Sequence, residues 1–349
     1  MEPVTHLLTG AVLARSGFNR KTALATAVMA LAAEAADLDV ACYLDGSVTG
    51  FIQHRGITHT VWAIPFMAAI SVGLIYLWMK LWDRIRPPKI DLQDGPPRRW
   101  GLLFFFACIA ASTHLLLDFT NNYGVRPLWP LDRHWYAWDI VYIVEPVMLV
   151  ILVAALLLPM LFSLINSEIG VRRHGARGRG LAIAALIAIV SLWGFRDHEH
   201  RKALKQLDLV NLQGATSLRT AAFPALANPF AWSGVIETSD AYRLLPLDTR
   251  AARPDPFASQ RIYYKPEETP ETLATRNSRL GRAYLEWARF PLLVTERHEA
   301  PLTGATVCLR DLRFQPIGER RKYYPLQACV ELDSQQHVQK EAFTGRSGD

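Results

Sequence analysis

The chain has 349 residues, 38 Lys+Arg against 32 Asp+Glu, a net charge of +6 and a pI near 9.2. That basic balance would suit a nucleic-acid partner. However, two of the densest basic runs, Arg84 to Arg99 and Arg172 to Arg179, are short loops between apolar stretches, where Lys and Arg mark the cytoplasmic side of a membrane, so no nucleic-acid role is expected.

A mean hydropathy of +0.09 hides a division of the chain, because apolar residues crowd the first 196 positions and the remainder reads as soluble. Residues 1–6 lack the basic start of a signal peptide, so the first helix is expected to stay in the mature protein. His6 to Ala14 and Thr22 to Ala36 read as two helical arms broken by a turn at Gly17 and Asn19. The first arm is too short to cross a bilayer alone. Val61 to Leu81, Trp100 to Leu117 and Ile140 to Ile165 are long and apolar enough to span, and Leu181 to Phe195 reads as a fourth span. The loops 37–58 and 119–139 carry only Arg55, Arg126 and Arg133, so the basic loops belong in the cytoplasm. The acid-rich loops and everything after Phe195 then lie outside.

Beyond the last span, 197–210 reads as a polar helical connector. Residues 211–349 show short alternating runs around Ser233, Gln260, Pro291, Ala305 and Leu326, with a helix expected from Pro270 to Phe290 capped by Thr269. The residues from Ser334 onward are expected to fray. The fold class that follows is an α-helical polytopic membrane domain over 1–196, then a smaller β-rich, α+β soluble domain. Four cysteines without a CxxC pair argue against a zinc ribbon, and Cys308 and Cys329 sit in strand-like runs where a disulfide is open to them in an extracytoplasmic domain.

The polar residues at the ends of the apolar segments carry the chemistry. His6 opens the first arm, Glu34, Asp37 and Asp39 close the second, His54 and His59 precede the third segment, and His114 and Asp118 close the next. On this topology all of them fall at the outer membrane face. His114 and Asp118 stand four apart, on one face of a helix, and Glu34 and Asp37 stand three apart. Imidazole and carboxylate without thiolate suits Zn, Mn or Fe, and ionisable groups at a membrane boundary are costly unless paired or functional. His6, Asp37, His54, His59, His114 and Asp118 are therefore the candidate ligands for one or two divalent ions. Glu34, Asp39 or His54 is a candidate proton shuttle or second-metal ligand, and Arg55 is a candidate for pairing with an acid or gripping an anion. Thr58 and Thr113 are expected to serve helix carbonyls, and Asn121 and Asn122 to shape the turn after Asp118.

His6, the Glu34-Ala-Ala-Asp37-Leu-Asp39 segment, His54-Arg-Gly-Ile-Thr-His59 and His114-Leu-Leu-Leu-Asp118, with Tyr123-Gly124 and Leu128-Trp-Pro130, resemble the membrane-bound metal-dependent hydrolase family of the LexA-regulated inner-membrane type. The resemblance covers residues 1–165, and Asn228 to Trp232 resembles the extension of its longer members. It implies a bacterial inner-membrane location and hydrolysis by a metal. Where the family often has proline before the first aspartate, this chain has Ala36. The expected activity is hydrolysis of a lipid-linked or phosphoester substrate at the outer face. A metal transporter would need ionisable groups through the spans, and Val61–Leu77, Gly101–Thr113 and Val147–Ile165 carry none. A scaffold or regulator with a structural metal site is the other alternative; it would have no open coordination position.

Overall fold

Antiparallel packing of two short helices sets up the first half of the chain. In the computed structural model, which describes residues 1–85, 96–168, 178–254, 260–298, 304–315 and 323–346, α1 is Pro3–Arg15 and α2 is Ala25–Glu34. Gly17 turns between them at φ +155°, and Gly10 lets the two backbones meet, since a Cβ there would lie 2.3 Å from the Met29 carbonyl oxygen. This close crossing brings the start of α1 alongside the end of α2, and so His6 beside Ala33 and its successors.

The remaining helices are α3 (Ser47–Gln53), α4 (Ile64–Ile85), α5 (Trp100–Thr120), α6 (Pro146–Glu168), α7 (Arg179–Leu207), α8 (Pro270–Asn277) and α9 (Arg279–Trp287). Val61–Ile85, Trp100–Thr120 and Arg179–Leu207 are long and apolar enough to cross a membrane, and Pro146–Phe162 is a shorter apolar helix. The expected span from Ile140 thus starts six residues late. Its first residues are drawn into a bridge, with Val141 paired to Asn121 and the Ile140 amide donating to the Thr120 carbonyl. The middle of the basic loop after Ile85 and most of the Arg172–Arg179 loop lie outside the described residues.

The chain divides into two units, residues 1–39 with 55–195, and residues 40–54 with 196–349. In the first, α2 and α5 pack through small residues, with Ala25, Ala32, Ala33, Ala107 and Ala110 buried around Val28, Met29 and Phe106. In the second, two four-stranded antiparallel meanders stand in the orders β1-β2-β3-β4 and β5-β6-β7-β8. The strands are β1 (Arg219–Pro224), β2 (Ala231–Glu237), β3 (Ala241–Asp248), β4 (Arg261–Tyr264), β5 (Pro291–His298), β6 (Gly304–Asp311), β7 (Tyr323–Asp333) and β8 (Val338–Arg346). Phe223, Leu244, Phe290, Leu292 and Leu312 form one core here, while Ala203 and Leu207 of α7 pack against Trp232, Ile236 and Leu247. The connector foreseen at 197–210 is thus mostly a continuation of α7. Residues after Ser334, expected to fray, instead form β8 paired to β7.

The single helix expected from Pro270 is two. Thr269 caps the first with a reciprocal pair of bonds to Thr272, and Ser278 breaks the run by capping α9, its hydroxyl accepting from the Gly281 amide. Within the same unit α3 inserts Phe51 among rings, 5.5 Å from Trp287, 5.9 Å from Tyr284 and 4.8 Å from Phe343. Cys308 and Cys329 are opposed in register across β6 and β7 and form a disulfide. Closing a loop of this length, the bond is worth about 2–4 kcal/mol. Replacing both cysteines by serine should lower the melting temperature of this unit, and an unchanged melting curve in scanning calorimetry would refute that.

Candidate metal centre

The ends of α1, α2 and α5 and the turn Ile57–His59 converge on a buried cluster. His6, His59, His114 and Asp118 are fully buried. His59 Nε2 lies 3.0 Å from His114 Nε2, 3.2 Å from Asp37 Oδ1 and 3.5 Å from Asp118 Oδ2. His114 Nε2 lies 3.6 Å from Asp37 Oδ1 and 3.5 Å from Asp118 Oδ2. Donors about 2.0–2.1 Å from a tetrahedral ion stand about 3.3–3.4 Å apart. The measured separations bracket that edge length.

Hydrogen bonding at the far side of each ring sets which nitrogen faces the cluster. His114 Nδ1 is 2.7 Å from the Ala33 carbonyl oxygen, which can only accept, so Nδ1 carries the hydrogen and Nε2 presents a lone pair. His59 Nδ1 is 3.0 Å from the Thr58 hydroxyl and 3.3 Å from Asp39 Oδ2, and that carboxylate favours the same tautomer. Two imidazole lone pairs and two carboxylate oxygens thus point at one space. Such a set is stable only around a cation or an added proton. Asp118 Oδ2 and His6 Nδ1 have no hydrogen-bond partner among the described residues, as expected where donors await an ion.

Asp118 carries the cluster on both oxygens. Its Oδ1 accepts from Arg55 Nη2 at 2.7 Å and from Asn121 Nδ2 at 3.4 Å, and lies 3.5 Å from His6 Nε2. The Met1 amino group also donates to Asp118 and stands 3.0 Å from His6 Nε2. His6 stacks on His114 with ring centroids 3.7 Å apart. Triads His6–His114–Asp118 and Asp37–His59–His114 each place three potential ligand atoms within 4.8 Å of one another. The donor set fits a divalent ion.

Asp39 is an organiser. Its Oδ2 accepts from the Arg55 amide at 2.9 Å and from the Thr58 hydroxyl at 3.1 Å while facing His59. Thr58, expected to serve a helix carbonyl, therefore serves the cluster, whereas Thr113 does donate to the Ala110 carbonyl. Arg55 is buried, held at φ 54°, its guanidinium 4.5 Å over the Tyr123 ring and donating to the Gly124 carbonyl as well as to Asp118. Of its two foreseen roles, the structure shows the acid partner. Arg126 donates to the Arg55 carbonyl at 3.2 Å and lies 4.7 Å over Trp135. Asn121 accepts from the Tyr123 and Gly124 amides and so forms the turn after Asp118.

Glu34 ends α2 half-buried, and burial together with the Asp37 carboxylate pushes it up to about 8. Burial works against ionisation of Asp37, but its bond to His59 and the charges of His114 and His6 hold it well below the usual carboxylate range. Burial disfavours charge on His59, yet the Asp37 and Asp39 carboxylates facing its two nitrogens favour the protonated ring and raise it above an ordinary imidazole. His54 belongs to the other unit, where its ring lies 6.4 Å from that of Tyr43. Sequence reading missed the Ala33 carbonyl and the Met1 amino group, since backbone groups leave no residue-type signature. Asn121 was read only as a turn former, though its place three residues after Asp118 gave a signal for contact.

Comparison with known proteins adds three findings. The family described as YdjM inner membrane protein matches residues 1–201, which contain the whole cluster. A protein of Bacillus subtilis (strain 168), "Uncharacterized protein YfhP", is 24% identical over 164 residues, 45% of this chain and 45% of its own. The match therefore spans less than half of that relative's length. No solved structure matches.

Proposed function

The chain belongs to the YdjM inner membrane protein family, and on that premise we propose that it is a metal-dependent hydrolase of the bacterial inner membrane, acting at the outer face on a lipid-linked or phosphoester substrate. The observation that carries the reading is the pair of imidazole lone pairs facing each other at 3.0 Å with Asp37 and Asp118 beside them. Asp37, His59, His114 and Asp118 would hold one ion, with His6 beside them as a further ligand or part of a second position. His54 remains a candidate ligand. Zinc suits four such donors, and manganese or iron suits the same chemistry. When bound, the ion would acidify a water near neutral pH and withdraw charge from the bond being cleaved.

The chain's own residues supply orientation and proton transfer. Asp39 and the Ala33 carbonyl fix the tautomers of His59 and His114. Arg55 offsets and aims Asp118. Glu34, pushed up to about 8 by burial and the Asp37 carboxylate, is the candidate to give a proton to the leaving group. The Cys308–Cys329 disulfide supports an oxidising compartment for the second unit, and so a multi-pass chain whose C-terminal domain is extracytoplasmic.

The test is metal content and turnover together. Detergent-purified protein loaded with zinc and then desalted should hold stoichiometric zinc and hydrolyse bis-p-nitrophenyl phosphate or a fluorogenic phospholipid, and His59→Ala should lose both. Wild-type protein without stoichiometric zinc, manganese or iron after loading would overturn the proposal. Full metal with no turnover on either substrate class would favour the structural-site alternative.

A further inference from the structure

An apolar cavity of about 340 Å³ adjoins the turn that supplies His59. Ile57, Trp62, Phe66, Met67, Trp129 and Pro130 line it, with Ala63 at its wall. Thr58 and Thr60 also line it, and these two bracket His59, whose ring faces the cluster. The Thr58 hydroxyl is bonded to Asp39 and so belongs to both the cavity wall and the cluster. Binding sites of this size are typically apolar with a few placed polar groups. Here the lining surface is almost wholly apolar, and the two threonines in it flank His59.

The cavity stands at the end of the span Val61–Ile85, of whose most apolar stretch only 17% is buried within the protein. Trp62 and Phe66 of the lining are exposed and begin a stripe that continues through Ile70, Leu74, Leu77 and Leu81 at helical spacing. On a span, that stripe faces lipid tails. Its apolar surface is continuous with the cavity, so a hydrocarbon chain can lie along the helix and enter without crossing water. The amide of Val61 donates to the Pro127 carbonyl at 2.9 Å, which fixes the Trp129–Pro130 loop over the start of the span as the opposite wall.

We propose that this cavity binds the upper part of one hydrocarbon chain of a membrane lipid and so presents the lipid's polar head to the cluster at His59. The proposal rests on the hydrolase reading for what happens to that head, but chain binding is a separate property and needs no metal. It narrows the substrate class to membrane lipids, and water-soluble phosphoesters would then be poor substrates.

The test uses full-length protein in phosphatidylcholine nanodiscs doped with phosphatidylcholine that carries a diazirine in the upper part of one acyl chain. Photolabelling at Trp62–Met67 and Trp129–Pro130 should saturate with probe, whereas labelling at the remote exposed Phe105 should rise in proportion to it. Ala63→Trp and Met67→Trp, which fill the cavity from the span's side, should each cut cavity labelling about tenfold with bound metal unchanged. Labelling that never saturates, or that survives both substitutions, overturns the proposal. Should either variant fail to fold, competition in the wild type decides: unlabelled long-chain lipid must displace the probe and glycerophosphocholine must not, and the reverse result overturns it. Metal content, read on the same samples, separates the two readings. Saturable labelling without metal would sink the hydrolase and leave the lipid site; metal without saturable labelling would do the opposite.

Discussion

Asp118→Asn is expected to empty the metal centre and to lower stability in the same step. The substitution keeps size and shape and removes one charge. Asp118 Oδ2 stands 3.5 Å from both His59 Nε2 and His114 Nε2, while Oδ1 takes a bond from Arg55 at 2.7 Å. Neutralising it leaves the buried Arg55 guanidinium without its counter-charge. Breaking a buried pair in this way costs about 3–5 kcal/mol. Metal affinity should fall by more than the roughly 10–100-fold that follows loss of a group merely supporting a ligand. The control is Asp83→Asn, where the lost partner is the exposed Arg98. A surface pair is worth about 0–1 kcal/mol, so that variant should melt with the wild type and keep its metal. Metal content and melting temperature of the three proteins in detergent check the claim. An Asp118→Asn protein with wild-type metal and melting temperature would refute it.

Much of this centre was legible because helix periodicity carries across from residue numbers to space. His114 and Asp118 share a face of α5 by their spacing alone, and the apolar spans declare themselves by composition. Of the candidate ligands His6, Asp37, His54, His59, His114 and Asp118, the structure gathers His6, Asp37, His59, His114 and Asp118 in one cluster, while His54 belongs to the other unit. Other features had no local signal. The excursion 40–54 joins the second unit through Phe51 on the short helix α3, and nothing near it in sequence marks its partners Tyr284, Trp287 and Phe343. Strand β3 contains Pro246, which spoils the alternation that strands are recognised by. Strand β8 pairs only with β7 and is polar, as suits an edge, and polarity reads as fraying when the pairing cannot be seen. The lone-pair geometry of His114 depends on a backbone carbonyl 81 residues away in sequence, which residue types cannot announce.

Arg55→Lys separates two roles that the sequence left open. Arg55 holds a left-handed backbone, φ 54°, that a non-glycine residue keeps only when its surroundings fix it. Four contacts do so: its amide bonds Asp39, its guanidinium bonds Asp118 and the Gly124 carbonyl, and the same group stacks over Tyr123. A planar fork can satisfy the carboxylate, the carbonyl and the ring together, whereas an ammonium cannot hold all three in that geometry. The lysine variant should therefore let Asp118 rotate, and metal affinity should fall about 10–100-fold by competition with a chelator. At saturating metal, turnover should largely recover and KM should stay near wild type, because a buried guanidinium already spent on Asp118 has little left for substrate. A clamp for an anionic substrate makes the opposite forecast: metal affinity unchanged and KM raised. The first outcome places Arg55 behind the ligand it orients; the second would move it to the substrate.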